Sequence, residues 1–294
     1  MSMQHERIFR VRHYECDAFD RVSHTNYLRY IQETAMDASA VAGFGGDWYL
    51  ANGFIWFVRD THIEFFQPLR YGDSVRVGTR VRNMRQALSK RVYELHRVAD
   101  NALVARAETD WAFIESASGK PARIPQAIRD AFFPGSVPSD EPRDRFPAPP
   151  SPPAEAFTQR RRVDWRDIDP AHHVNNSVYL AYSEDCAVEA LRAFGWPPMR
   201  MRDEGFTLDM KSCRLEYRAP AMHSDDLEIT TWFSDVTEST ALRHVALHRM
   251  RDNAELARAR IQVCCTDSNT GSPRAFDSAF LHDLRHGMCH GALR

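Results

Sequence analysis

One constant shift of 152 positions (169 − 17) lays the second half of this 294-residue chain on the first without a gap. Asp17 falls on Asp169, Val22 on Val174, Tyr27-Leu28 on Tyr179-Leu180, Tyr30 on Tyr182 and Gly43 on Gly195. Further along, Glu64 meets Glu216, Pro68 meets Pro220, Asp73 meets Asp225, and Leu95-His96-Arg97 meets Leu247-His248-Arg249. Chance similarity does not keep one register over so long a stretch, so the chain is a duplicated unit. Whatever one half folds into, the other must fold into as well.

Between the copies lies the only proline-dense stretch, from Pro134 through Ala148-Pro-Pro-Ser-Pro-Pro-Ala154. Such a segment is extended and semi-rigid and continues neither helix nor sheet. It divides the chain into an N-terminal domain over 1–133, a linker over 134–156 and a C-terminal domain over 157–294. Each copy opens with a short strand pattern, Ile8 to Tyr14 and Phe157 to Trp165, and a loop containing the aspartate follows. Asn26 to Val41 and Asn175 to Phe194 then carry apolar residues at helical spacing, with Gly43 and Gly195 as stop signals. Four strand-like segments come next in copy one, Phe54 to Phe66, Ser74 to Met84, Ser89 to Val98 and Ala102 to Glu115, separated by turns at Gly72-Asp73 and Asp100-Asn101. The fold class this predicts is α+β, with an antiparallel sheet that must wrap one long helix to bury its apolar stripe, twice over.

Composition narrows the function. With 38 basic and 40 acidic residues spread along the chain, there is no charge field for a nucleic acid or an anionic membrane. The six cysteines lack the paired Cys-x-x-Cys spacing of a zinc or redox site and read as free thiols in a reducing compartment. No stretch approaches the roughly 20 apolar residues that cross a bilayer. The expectation is a cytoplasmic protein with no membrane partner, no metal and no cofactor.

The run Cys16-Asp-Ala-Phe-Asp-Arg-Val-Ser-His-Thr-Asn-Tyr-Leu-Arg-Tyr30 resembles the signature of the 4-hydroxybenzoyl-CoA thioesterase group of hot-dog proteins. Asp169-Pro-Ala-His-His-Val-Asn-Asn-Ser-Val-Tyr-Leu180 resembles the Asp-x-x-Gly-His-Val-Asn-Asn form of that motif, which also occurs in acyl-ACP thioesterases. The resemblance implies two tandem hot-dog domains and hydrolysis of an acyl thioester, with acyl-CoA as substrate or acyl carrier protein as the alternative carrier. It implies Asp17 and Asp169 as nucleophile or general base, His24 and His173 as their helpers, and Asn26, Tyr27, Asn175 and Asn176 as substrate-binding residues. It also implies further assembly into a homo-oligomer. The family-like His24 and Asn26-Tyr27 favour Asp17 as the working copy. Departures stand beside these matches: Asp20 and His172 occupy the motif's glycine position, and plant acyl-ACP thioesterases carry an asparagine where this chain has Ala171 and a glutamate where it has Pro220.

The chemistry agrees with the residue types. Thioester hydrolysis needs a base or nucleophile, donors for the developing oxyanion, and a grip on the thiol carrier. Each aspartate precedes a helix start, where unpaired N–H groups and the helix dipole favour negative charge. Arg70, Arg80, Arg82, Arg85, Lys90 and Arg91 of copy one offer loose charge for a CoA phosphate. Set against this, an aspartate before a helix is commonly only a cap or turn residue. Two other functions fit parts of the pattern. Asp167-Ile-Asp-Pro-Ala-His172 bears a superficial likeness to an enoyl-CoA hydratase motif, and the lost motif glycines would suit a non-catalytic acyl-CoA-binding protein.

Overall fold

Alternation of buried and exposed side chains dictates the strands of each copy, and the computed structural model describes them over residues 2–135, 144–154 and 156–285. Two units result, Met1–Arg145 and Phe146–Arg294. In the first, β1 (Gln4–Arg10) alternates half-buried with exposed residues and leads to the long helix α1 (His24–Val41) and a short helix α2 (Gly46–Asn52). Four strands follow, β2 (Phe54–Phe65), β3 (Ser74–Met84), β4 (Leu88–Arg97) and β5 (Leu103–Glu115). A two-residue strand β6 (Lys120–Pro121) and helix α3 (Gln126–Phe132) complete it. The sheet order is β1-β3-β4-β5-β2, antiparallel throughout, with β6 paired to β5. Helix α1 packs on β1 and β3.

The second unit repeats this with β7 (Phe157–Arg162), α4 (Asn176–Ala193), α5 (Pro198–Asp203), β8 (Phe206–Tyr217), β9 (Asp226–Ser234), β10 (Thr240–Arg249), β11 (Ala254–Asp267) and α6 (Ser278–Asp283). Its order, β7-β9-β10-β11-β8, is that of unit 1 at the same shift, and α4 packs on β7, β9 and β11. The expected α+β unit, one sheet around one long helix, is present in both copies.

Each long helix ends where its glycine permits. Gly43 and Gly195 take φ of 89° and 82°, and their N–H groups bond Ala40 and Arg192 carbonyls at 2.9 and 3.0 Å. The next residues, Phe44 and Trp196, reach back to Ser39 and Leu191 at 2.8 Å. This is a Schellman closure, which satisfies helix-end carbonyls only if one residue turns left-handed. In unit 2 it plants Trp196 in the core, where the indole meets Phe206 and Phe280, donates to Asp283 Oδ2 at 2.9 Å and lies under the Arg200 guanidinium. In unit 1 the matching end of the core gathers Val81, Met84, Phe113, Ile124, Ile128 and Phe132, with α3 tethered by Arg129 to the Met84 and Arg85 carbonyls at 3.2 and 2.8 Å.

Two sequence expectations need correction. The first strand runs Gln4–Arg10 rather than Ile8 to Tyr14, because His13–Glu15 curls into a 3-10 turn; likewise β7 stops at Arg162 and Trp165–Asp167 turns. The short helices α2, α3, α5 and α6 were not anticipated, being six or seven residues long and without a readable period. The second unit begins at Phe146, which is buried and faces the guanidinium groups of Arg258 and Arg214 at 4.7 and 5.6 Å. No helix of the described residues is long and apolar enough to cross a membrane. Cys289 lies outside the described residues.

One buried group sets a pH dependence. His244 on β10 stacks on Trp232 and shares a 2.7 Å hydrogen bond with Ser234 Oγ. Burial first, and then the Arg260 cation, push its pKa below the ordinary imidazole value, with Asp235 opposing. The folded ring therefore resists a proton that the unfolded chain accepts near pH 6.5. Stability is expected to be full above that value and to decline as pH falls below it. Melting curves at pH 8 and 5.5 check this: the pH-induced loss should shrink in His244→Asn, and an equal loss in the variant would refute the assignment.

Candidate active site

Both aspartate loops are built by the same bonds. A 3-10 turn delivers Glu15 and Asp167, whose main-chain carbonyls accept from Ser23 and Asn175 N–H, each at 2.9 Å. Bridges Cys16↔Val22 and Ile168↔Val174 pinch the loop, and the aspartate N–H groups bond Arg21 O at 2.7 Å and His173 O at 3.0 Å. Val22 and Val174 N–H then tie the loop to Leu69 and Ala221 carbonyls at 2.9 Å. Between these anchors the chain must reverse, and Asp20 and His172 do so with φ of 57° and 63°. This is why the motif has a glycine at that place: a side chain in the left-handed region carries strain. His172, exposed, is expected to gain up to ~1 kcal/mol of stability on substitution by glycine. A denaturant titration of His172→Gly tests this, and a lower midpoint would contradict it.

The two carboxylates are not equivalent. Asp17 is exposed, and its Oδ1 accepts from its own loop, Phe19 N at 2.8 Å and Arg21 N at 3.0 Å. Asp169 is half-buried: Oδ1 takes Ala171 N at 2.8 Å, while Oδ2 takes Asn175 Nδ2 at 3.1 Å. Asn175 is also the N-cap of α4, its Oδ1 accepting from Ser177 N and Oγ at 3.0 and 2.7 Å. One amide thus fixes the carboxylate against the helix start. The N–H of Asn176, first residue of α4, has no acceptor among the described residues. Ser23, which stands where Asn175 does, makes no side-chain cap bond.

The other expected site residues divide accordingly. His173 lies in the Asp169 loop, half-buried, with Nδ1 2.8 Å from Val174 O. His24 is instead the first residue of α1, its ring edge-on to Phe65 at 4.6 Å; at the repeat shift it matches Asn176, and His173 matches Arg21. Asn26 is buried, donating to Glu15 O and Ser23 Oγ at 2.9 Å and accepting from Arg29. Tyr27, expected among the substrate contacts, is a packing residue. It is 2% exposed, its hydroxyl accepts from Leu69 N at 3.0 Å, and burial pushes its pKa up to about 12. Tyr179 does the same with Ala221 N at 2.8 Å. At the positions that depart from the plant enzymes, Ala171 offers its N–H to Asp169 and Pro220 its carbonyl to Arg249 at 3.2 Å.

A second carboxylate under each loop was missed. Glu15, buried, accepts from Arg12 N and Tyr30 OH, both at 2.7 Å, and Asp167 accepts from Tyr182 OH at 2.6 Å. Burial, and next the bond to the carboxylate, push both tyrosine pKa values up. The shift of 152 already sets Glu15 on Asp167 and Tyr30 on Tyr182, so the signal was available. The cations of copy one are mostly committed elsewhere: Arg82 and Lys90 pair with Glu108 and Asp110, Arg70 with Asp20, and Arg91 is buried. No group of three or more metal-ligating side chains occurs among the described residues.

A helix inside an antiparallel sheet, written twice with an aspartate loop at each helix start, defines a tandem hot-dog protein. The chain belongs to the thioesterase-like superfamily, whose family model matches residues 11–132 and 163–284. It is 24% identical over 264 residues to a chloroplastic acyl-[acyl-carrier-protein] hydrolase of Cuphea viscosissima, covering 86% of this chain and 61% of that one. It therefore spans about three fifths of the length of that relative. The acyl-CoA thioester hydrolase YbgC of Escherichia coli O6:H1 is 27% identical over 126 residues, 42% of this chain and 92% of its own. The solved 12:0-ACP thioesterase of Umbellularia californica shares the fold, with a TM-score of 0.69 at 21% identity over 88% of this chain and 93% of that one.

Proposed function

We propose that this protein hydrolyses an acyl thioester to the free acid and thiol, with Asp169 as nucleophile or general base. The observation that carries the reading is the hold of Asn175 on both the Asp169 carboxylate and the start of α4. A carboxylate kept in one orientation beside an unfilled N–H, that of Asn176, combines the attacking group and the oxyanion donor this reaction requires. The names of the relatives, hydrolases of acyl-carrier-protein and acyl-CoA thioesters, support the same class. His173 then serves to shape the loop and to orient water. In the hydratase reading Asp167 would have to act, yet its carboxylate is taken by Tyr182.

Free-thiol release from a panel of acyl-CoAs and acyl-carrier-protein thioesters tests the proposal. Hydrolysis that survives loss of both Asp17 and Asp169, or ligand binding with no release, would overturn it. We further propose that the chain assembles into a homo-oligomer in the cytoplasm; a monomeric mass by light scattering would refute the assembly.

A further inference from the structure

Arg160, Arg161 and Arg162 follow one another on β7, and Arg251 sits in the turn after β10. The matching positions of copy one are Ile8, Phe9, Arg10 and Ala99, so three of the four cations belong to copy two alone. Together they line an open cleft of about 590 Å³ at one end of the unit 2 sheet. Two acids, Asp225 and Asp226, face the four arginines. Asp225 is already held by Arg249 at 3.6 Å and Arg251 at 3.2 Å, and it accepts from Met222 N at 2.9 Å. Arg161 spends its charge on Asp185 at 2.6 Å, whereas Arg160 meets Glu228 only at 3.9 Å. Arg162 is exposed and makes no ion pair among the described residues. Cationic capacity is left over.

Beside this cleft stands an exposed indole. Trp165 is 72% exposed and meets the His223 ring edge-on at 5.3 Å, and the next residue, Ser224, lines the cleft and lies 3.4 Å from that ring. Arginines on an edge strand can simply discourage strand pairing. That explanation leaves the bare tryptophan and the concave shape without a cause. Guanidinium groups for phosphates beside an aromatic face for a base form the pair of contacts a nucleotide needs. The volume suits a small molecule rather than a protein face. Trp165 also opens the 3-10 turn that runs into the Asp169 loop.

We propose that this cleft binds the 3′-phosphoadenosine diphosphate end of an acyl-CoA, with Arg160, Arg162 and Arg251 on the phosphates and adenine stacked on Trp165. The inference rests on the thioesterase reading of the Asp169 loop and deepens it, selecting coenzyme A over a carrier protein as the thiol carrier.

Calorimetric titration of the full chain with CoA, dephospho-CoA and 3′-phosphoadenosine 5′-phosphate tests it. CoA is expected to bind more tightly than dephospho-CoA, and less tightly as salt rises. Arg162→Ala and Trp165→Ala should each weaken CoA roughly tenfold, while Asp226→Asn should tighten it. Equal affinity for CoA and dephospho-CoA, with neither Arg162→Ala nor Trp165→Ala having an effect, would overturn the proposal. Rates on acyl-CoA and acyl-N-acetylcysteamine, which lacks the nucleotide, separate this inference from the one beneath it. Hydrolysis of carrier-protein or N-acetylcysteamine thioesters without CoA binding would sink the nucleotide site and leave the thioesterase standing. Binding of 3′-phosphoadenosine 5′-phosphate with no thioester hydrolysed would do the reverse.

Discussion

Asp169→Asn is expected to lower kcat for thioester hydrolysis by about 10²–10⁴-fold, the range that loss of a positioned base or nucleophile spans, while leaving the melting temperature nearly unchanged. The substitution keeps an oxygen for Ala171 N–H and gives up only the Asn175 Nδ2 bond, because its NH2 replaces the Oδ2 acceptor, and the loop is pinned mainly through the main-chain bonds of Asp169 and Val174. Asp17→Asn should cost far less, because the Asp17 carboxylate is exposed and, among the described residues, bonded only within its own loop. Asn175→Ala offers a graded control: it frees the Asp169 carboxylate and removes the α4 cap together, so both rate and stability should fall, the latter by about 1 kcal/mol. Free-thiol release and melting curves of the three variants decide the matter. Full activity in Asp169→Asn with none in Asp17→Asn would move the reaction to the first copy, where the motif resemblance alone had pointed.

The largest stability effect is expected from Trp196→Ala. The indole is fully buried, packed against Phe206 and Phe280 and bonded to Asp283. Removing it leaves a cavity at a site closed by a Schellman turn, which has little freedom to collapse. A loss of about 3–5 kcal/mol is typical of such truncations, which for a unit of this size lowers the melting temperature by about 10 °C. Scanning calorimetry reads this directly, and a shift of only a degree or two would show that α5 and α6 do not hold the core as described.

The duplication makes the architecture legible in the sequence, because a period of 152 residues carries its own internal control. The long helices, the middle strands and the Gly43 and Gly195 stops followed from periodicity and backbone chemistry. The loop aspartates followed from the motif. What stayed hidden was mostly local and short-range. The 3-10 turns at His13–Glu15 and Trp165–Asp167 begin inside apparent strand patterns, and only hydrogen bonding tells a tight turn from an extended residue. The difference between Asp17 and Asp169 arises from Ser23 against Asn175 six residues downstream, a substitution of one good cap by another that a propensity scale treats as neutral. The motif resemblance set Tyr27 among the substrate contacts, whereas its place in the helical stripe marks a packing residue, and its hydroxyl accepts from the Leu69 N–H forty-two residues away. The charge outside the motif was similarly opaque: the cations of copy one were read as available, and three-dimensional pairing removes several of them while leaving Arg162 without an ion pair among the described residues.

Because the entry to each long helix is closed by matching main-chain bonds while its side chains differ, the segment is an exchangeable cassette. Residues 15–27 and 167–179 begin and end on equivalent anchors, a tyrosine-bonded acid at one end and a buried tyrosine at the other. Transplanting one into the place of the other keeps those anchors and trades the His24 ring contact on Phe65 for the Tyr217 hydroxyl bond to Asn176 O. One copy of the loop can drift or be redesigned on its own scaffold while the other keeps its bonds.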